Sequence, residues 1–477
     1  MGHRPASQQP AHLATGGSDP DRLRSRRGHF GKLTKQRLDS AALLSRPAVH
    51  PSLPVPSQRS IKLLAWSSLL GKFVGVQAIV QVIGLCSGIL LVRNLNKADY
   101  AFFTLANAMQ ATMTLLADVG ISSGLSAIGG KVWNDRFQFG QLIRTALRIR
   151  HILVVAAIGL IGPLLLWMLL RNGCPFGYAA MISLAVLGGA AVQVGNGVLA
   201  VVPRLHLQIG RIQKLDLACA AFRLGILLLA YCLFLNAAIA VAAATVTFFA
   251  QNLILKRWAR RMTDLNAPVS AEYRASLVSI IKTQAPNDIY YCIQGQITVW
   301  LITFFGNTRN IAEIGALGRL AVLFSIANSI LASIVLPRFA RCQLPQILRV
   351  RYWQIIGVYC AFGAFLTLIA ALFPDQLLWI LGRQYSHLRT EVLLIVVSTV
   401  FNGVVGAMWS LNLSKAWIPS AWLNISLVLA LQVILLPFVD VSTVKGVISF
   451  NILSILPSVV LYAYVAHKGF SSGHPTA

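Results

Sequence analysis

HILVVAAIGLIGPLLLWMLLR, His151 to Arg171, decides what kind of chain this is. Between the two flanking basic residues, Ile152–Leu170 carries no charge. A helix crosses about 30 Å of hydrocarbon with about 20 such residues. Working outward, eleven more segments qualify, at 72–92, 101–128, 178–201, 215–235, 237–255, 285–305, 314–336, 354–373, 391–413, 420–439 and 446–466. The composition agrees, with 56% hydrophobic and 12% charged residues. Soluble domains carry roughly 25% charged residues. The expected fold is an all-α polytopic membrane protein with twelve transmembrane helices.

The charges are lopsided, with 41 Lys+Arg against 14 Asp+Glu and a net charge of +27. Nucleic-acid binding is excluded as the cause, because such proteins are not this apolar. Cytoplasmic loops collect Lys and Arg. With twelve spans and a cytosolic N-terminus, the inner loops and C-terminus hold 20 basic residues, the stretch to Lys72 adds twelve, and the outer loops hold seven. The fifth and sixth spans share only the 32 uncharged residues between Arg223 and Lys256. Merging them would put the basic 256–282 and 338–351 loops outside, so two spans are expected, turning near Leu235-Asn236-Ala237. Both termini are then cytosolic.

Residues 1–60 are basic and rich in Pro, Ser and Gly, without an apolar run, so a disordered cytosolic tail is expected. It lacks the apolar core of a signal peptide. Such a tail either binds anionic lipid or is an unselected extension. The remaining boundaries are a six-helix bundle at 61–255, a cytosolic linker at 256–284, a second bundle at 285–468 and a tail at 469–477. The halves resemble each other weakly. Leu165-Leu166-Trp167 to Arg171 matches Leu377-Leu378-Trp379 to Arg383 at an offset of 212, and Asp99 matches Glu313 at 214. Six spans per half make this a parallel repeat, with a pseudo-two-fold along the membrane normal and a site between the halves.

Enzyme signatures are missing: no HExxH, Walker A loop, GxSxG or GxGxxG is present. The seven cysteines include no CxxC pair, which argues against zinc and against a disulfide framework. No cofactor and no metal are expected. The informative residues are charges inside the spans, where each costs several kcal/mol unless it faces protein or water. Arg223 sits about 12 Å into the fifth span. Arg319 lies one to two turns inside the outer end of the eighth. Guanidinium groups suit a pyrophosphate, which they can grip through two oxygens at once. Lys72 and Lys282 mark the inner ends of the first and seventh spans, and either reach the same cavity or snorkel to headgroups. Asp118 and Asp288 have two readings each: an ion-coupling role, or a structural one, with Asp118 pairing a basic residue and Asp288 capping the start of the seventh helix. Gln77 and Gln81 share a face of the first span, and Gln294 occupies a comparable place in the other half. They bind sugar or join helices, as do Gln193 and Asn196. Trp66, Trp167, Trp300, Trp379 and Trp409 read as interface anchors.

Several stretches resemble a known group. Leu90-Leu91-Val92-Arg93-Asn94-Leu95, Ala98-Asp99-Tyr100-Ala101-Phe102-Phe103 and Leu116-Ala117-Asp118-Val119-Gly120-Ile121 follow one another at the end of the first span and along the second. Ile314-Gly315-Ala316-Leu317-Gly318-Arg319-Leu320, Val335-Leu336-Pro337-Arg338-Phe339 and Leu378-Trp379-Ile380-Leu381-Gly382-Arg383-Gln384-Tyr385 follow later. Over about residues 65–465 the chain resembles the polysaccharide-transport branch of the multidrug/oligosaccharidyl-lipid/polysaccharide exporter superfamily, the O-antigen and exopolysaccharide flippases. Ala101 departs from the family's usual glycine, and residues 1–60 have no counterpart. The resemblance implies a flippase, not an enzyme. It would move an undecaprenyl-pyrophosphate-linked oligosaccharide across the bacterial inner membrane by alternating access, for polysaccharide biosynthesis. The polyprenyl-pyrophosphate-linked glycan and membrane lipid are then its partners, with a glycan polymerase and a chain-length regulator as candidate protein partners. The alternatives are an ion-coupled small-molecule exporter of the same fold, and an integral-membrane glycan polymerase or transferase.

Overall fold

A computed structural model describes residues 58–331, 335–340, 345–415, 417 and 421–472. The expected tail 1–60 falls almost wholly outside these residues, as do the end of the 469–477 tail and the side chain of Lys72. The described chain is helical, without strands. In order come α1 (Gln58–Asn94), α2 (Lys97–Asp118), α3 (Ile121–Val132), α4 (Arg136–Arg171), α5 (Phe176–Leu205), α6 (Ile209–Leu233), α7 (Ala237–Met262) and α8 (Ala271–Phe305). Then follow α9 (Thr308–Leu317), a 3-10 turn (Gly318–Ala321), α10 (Val322–Ile330), α11 (Leu336–Ala340), α12 (Pro345–Leu372) and α13 (Pro374–Leu381). The last three are α14 (Arg389–Ser414), α15 (Ala421–Leu435) and α16 (Val444–Ser472).

Eight described helices are long and apolar enough to cross a membrane, nine if the bent α2–α3 pair counts as one. The chain is a multi-pass membrane protein. The doubtful fifth and sixth spans are separate helices, α6 and α7. Asn236 ends the turn between them by accepting the Ile239 N–H at 2.9 Å, an N-cap that starts α7.

Three expected spans differ from continuous apolar helices. The second is bent by 42°. Gly120 takes a left-handed φ of +69°, which stops α2 and starts α3 on a new axis. The seventh is the later part of α8, which begins at Ala271 inside the expected 256–284 linker. That linker is mostly the end of α7, a short turn and the start of α8. Asp288 is therefore mid-helix and cannot cap its own helix. Its Oδ2 accepts the Gly120 N–H at 2.8 Å, so it caps α3 across the bundle instead. The eighth span is broken into α9 and α10 by the 3-10 turn that carries Arg319.

The first lobe packs α2 against α4, α5 and α7, and the second packs α14 against α12 and α16. Near one end, the two lobes share one core. It runs through Leu91, Tyr100 and Met109 of the first half into Ile311, Leu317, Leu381 and Val447 of the second. Toward the other end, which carries the basic turns, the core divides. Leu125, Phe139, Val198 and Leu277 form one part. Phe339, Tyr352, Met408 and Tyr462 form another. The lobes are thus joined at one end and have separate cores at the basic end, where, among the described residues, only α8 of the second half packs on the first-lobe core.

The weak sequence repeat is corrected in detail. Trp167 lies near the end of the long α4, and Trp379 lies on α13, which follows α12 after a break at Phe373, so the second-half counterpart of α4 is interrupted. The loop match is real but shifted. Asn96 caps α2 by accepting the Asp99 N–H, and Asn307 caps α9 by accepting the Asn310 N–H. Asp99 therefore corresponds to Asn310, not to Glu313.

Candidate functional site: an arginine pair behind an interlobe latch

Arg319 is held by the break that carries it. A helix kept straight through Gly318–Ala321 would turn this side chain elsewhere. Its Nε donates to the Tyr100 hydroxyl at 3.1 Å, and its guanidinium lies 5.6 Å from the Phe103 ring centroid. Tyr100 in turn donates to the Gly315 carbonyl at 3.1 Å. Gly88 on α1 lets the chain pass: a Cβ there would lie 3.0 Å from Arg319 Cδ. The side chain thus sits between α1 and α2, with one neutral hydrogen bond and one aromatic face.

Arg223 projects from the middle of α6. Its Nε is buried and has no hydrogen-bond partner. Neither arginine has a carboxylate within ion-pair distance among the described residues. A guanidinium without a counter-charge in a weakly polar interior favours an anion beside it.

The other charges go elsewhere. Asp118 forms an ion pair with Arg150, whose side chain is only 4% exposed. Arg150 also donates to the Val194 carbonyl at 2.5 Å and to Ser122 Oγ at 3.0 Å, and Ser122 donates to Asp118 at 2.7 Å. Gly197 makes room for it, since a Cβ there would lie 2.7 Å from Nη1. Arg150, one of the basic residues assigned by sequence to the inner loops, is not in a loop. It lies four turns into α4, because that helix begins at Arg136, well before the apolar run. Lys282 is exposed on α8, and Gln77 and Gln81 are half-buried on α1. Gln294 is committed to Gln432 by two reciprocal amide bonds of 3.1 and 2.8 Å. Gln193 accepts from Gln110 at 3.0 Å, and Asn196 bonds Phe248, Gln251 and Asn252 on α7. These amides join helices.

A latch that the sequence reading did not assemble closes the shared-core end. Glu313 is 5% exposed and accepts from Arg309 at 2.8 Å and lies 2.8 Å from His387 Nε2. Lys97 of the first lobe lies 3.8 Å from the same carboxylate. Arg93 donates to the Trp379 carbonyl at 2.9 Å and lies 4.8 Å from its ring, so Trp379 also makes an interlobe contact. Gln384 donates to the Val92 carbonyl at 2.7 Å, and Arg171 to the Phe304 carbonyl at 3.0 Å. Gly315 packs on Thr104 so tightly that any added Cβ would overlap its hydroxyl. The elements α2 and α9 meet here because each is started by a capping asparagine at the same end.

This architecture, two helical lobes joined at one end, is that of a known class of transporter. No family model matches the chain, and no curated protein matches it significantly. Solved structures do. An inward-facing multidrug resistance MATE transporter of the MOP superfamily superposes with a TM-score of 0.60 at 15% identity, over 83% of this chain and 96% of that one. A eukaryotic MATE transporter gives 0.59 at 12% identity, over 85% and 97%. An outward-facing MATE transporter of the same superfamily gives 0.54 at 16%, over 86% and 96%. The chain has the MATE transporter fold.

Proposed function

We propose that the protein is a flippase for a polyprenyl-pyrophosphate-linked oligosaccharide, working by alternating access in the bacterial inner membrane. The observation that carries this reading is that Arg223 and Arg319, two charges within spans, have no carboxylate partner among the described residues. A diphosphate offers several oxygens to two guanidinium groups, which bind such groups bidentately. A cationic drug needs acidic groups at its site, and the two carboxylates expected there have protein partners: Asp118 pairs with Arg150, and one oxygen of Asp288 accepts the Gly120 N–H. The shared core at one end and the divided core at the basic end fit a state open toward the basic side. The charge bias makes that side cytosolic, so the state is inward-facing, ready to receive a headgroup made in the cytosol. The lipid tail stays in the bilayer while the headgroup crosses between the lobes. An ion-coupled exporter of small anionic molecules is the alternative on this fold.

The test is the sidedness of lipid-linked glycan in vesicles from a deletion strain complemented with wild type, Arg223→Ala or Arg319→Ala. A membrane-impermeant lectin reports exposure. The proposal expects glycan trapped on the cytosolic face in the deletion, restored by wild type and not by either variant. Unchanged sidedness in the deletion would refute it.

A further inference from the structure

A second polar space lies inside the second lobe, away from both arginines' contacts. It holds about 280 Å³ between α8, α14, α15 and α16. Drug-sized sites run to roughly 300–1,000 Å³, so this pocket suits a single ring. No charged side chain lines it. Its polar lining consists of amides and hydroxyls, and several of their atoms are unused.

The bookkeeping of hydrogen bonds identifies these atoms. Asn451 Oδ1 accepts from Ser398 at 2.9 Å and from Asn402 at 3.1 Å, leaving its Nδ2 without a protein partner. Asn424 Oδ1 bonds Ser458 at 2.9 Å, leaving its Nδ2 likewise. Asn402 spends its Nδ2 on the Ser398 carbonyl and on Asn451, so its Oδ1 remains an open acceptor. Two donors and one acceptor thus face one small neutral space. Amide groups that line a cavity without a protein partner are open to a ligand or to water.

The aromatic wall narrows the chemistry. Trp409 lies 6.2 Å from Tyr291 and 5.5 Å from Tyr462, centroid to centroid. The two tyrosine hydroxyls bond each other at 2.9 Å, which fixes their rings. Trp409 therefore forms part of a pocket wall. A hard metal ion would need more oxygen ligands or a carboxylate. A phosphate would need a cation or several N–H groups. A sugar ring fits both features: its hydroxyls donate and accept together, and its C–H face lies flat on an aromatic ring.

We infer that this pocket is a neutral-sugar subsite, taking one monosaccharide unit of the transported headgroup through Asn402, Asn424, Asn451 and Trp409. The inference rests on the flippase reading and adds where its substrate's sugar is recognised. Recognition by neutral amides separates sugar choice from charge, so this lobe selects the glycan while the arginine pair holds the diphosphate.

The experiment uses the full-length protein in nanodiscs. The probe is the free oligosaccharide released by mild acid from the host's own lipid-linked pool, which has neither lipid nor diphosphate. Binding is read by calorimetry for wild type, Asn402→Ala, Asn451→Ala and Arg223→Ala. Asn402 is exposed, so its truncation leaves the fold intact; equal melting curves verify this for each variant. Loss of a hydrogen-bonding group is expected to raise Kd about tenfold for both asparagine variants and to leave Arg223→Ala as wild type. No binding by wild type, or equal Kd for the asparagine variants, overturns the subsite. The lectin assay reads the flippase proposal separately. Asparagine-dependent binding alongside unchanged glycan sidedness would uphold a sugar site and refute the flippase.

Discussion

Replacing Lys97 with Met tests whether the Glu313 cluster latches the lobes together. The substitution keeps an apolar stem beside the Tyr385 ring, 5.7 Å from the ammonium, and removes only the charge. At 3.8 Å from Glu313, the pair's Coulomb energy is about 4 kcal/mol at an effective dielectric near 20. Much of this is offset. Lys97 is 30% exposed, and Glu313 already has Arg309 in its own lobe. A net interlobe contribution of about 1–2 kcal/mol remains, between exposed and buried pairs. It exists only while the lobes meet at this end. Its loss therefore raises the ratio of open to closed at this end about 5- to 30-fold. Spin labels at Phe176 and Phe438, both exposed and on different lobes at that end, would report the separation by pulsed electron resonance in a background without the other cysteines. Arg389→Met is the control, because Arg389 pairs with Asp375 inside the second lobe. An unchanged distance distribution in Lys97→Met, or the same change in the control, would refute the latch.

Two further expectations concern packing. Gly315→Ala places a methyl against Thr104 and should hold the lobes apart at the latch, widening the same label distance; Thr104→Ala in the same chain should reverse it, and failure of that reversal would argue against the contact. Asp118→Asn leaves the Arg150 guanidinium buried without its counter-charge, which costs about 3–5 kcal/mol in fully buried pairs and less here, since Asp118 is 38% exposed. Reversible unfolding in mixed micelles should show a loss of about 1–3 kcal/mol, largely recovered in Asp118→Asn with Arg150→Met. Unchanged stability with lost transport would return Asp118 to an ion-coupling role.

The sequence by itself determined that the chain crosses a membrane many times and that its second half follows the first in plan. Those properties depend on local composition: an apolar run such as Ile152–Leu170 is legible wherever it lies, because lipid admits few alternatives to a helix. It also picked out Arg223 and Arg319, since charges in apolar runs stand out. The tertiary structure alone decided what each charge does. Asp118 meets Arg150 only because α4 starts at Arg136, and Asp288 caps α3 only because Gly120 turns the chain beside α8. The latch joins Lys97 to Glu313 across more than two hundred residues, and the second-lobe pocket draws its amides from separate helices. Such partnerships depend on how helices are rotated and packed against each other, and neither periodicity nor charge counting carries that information.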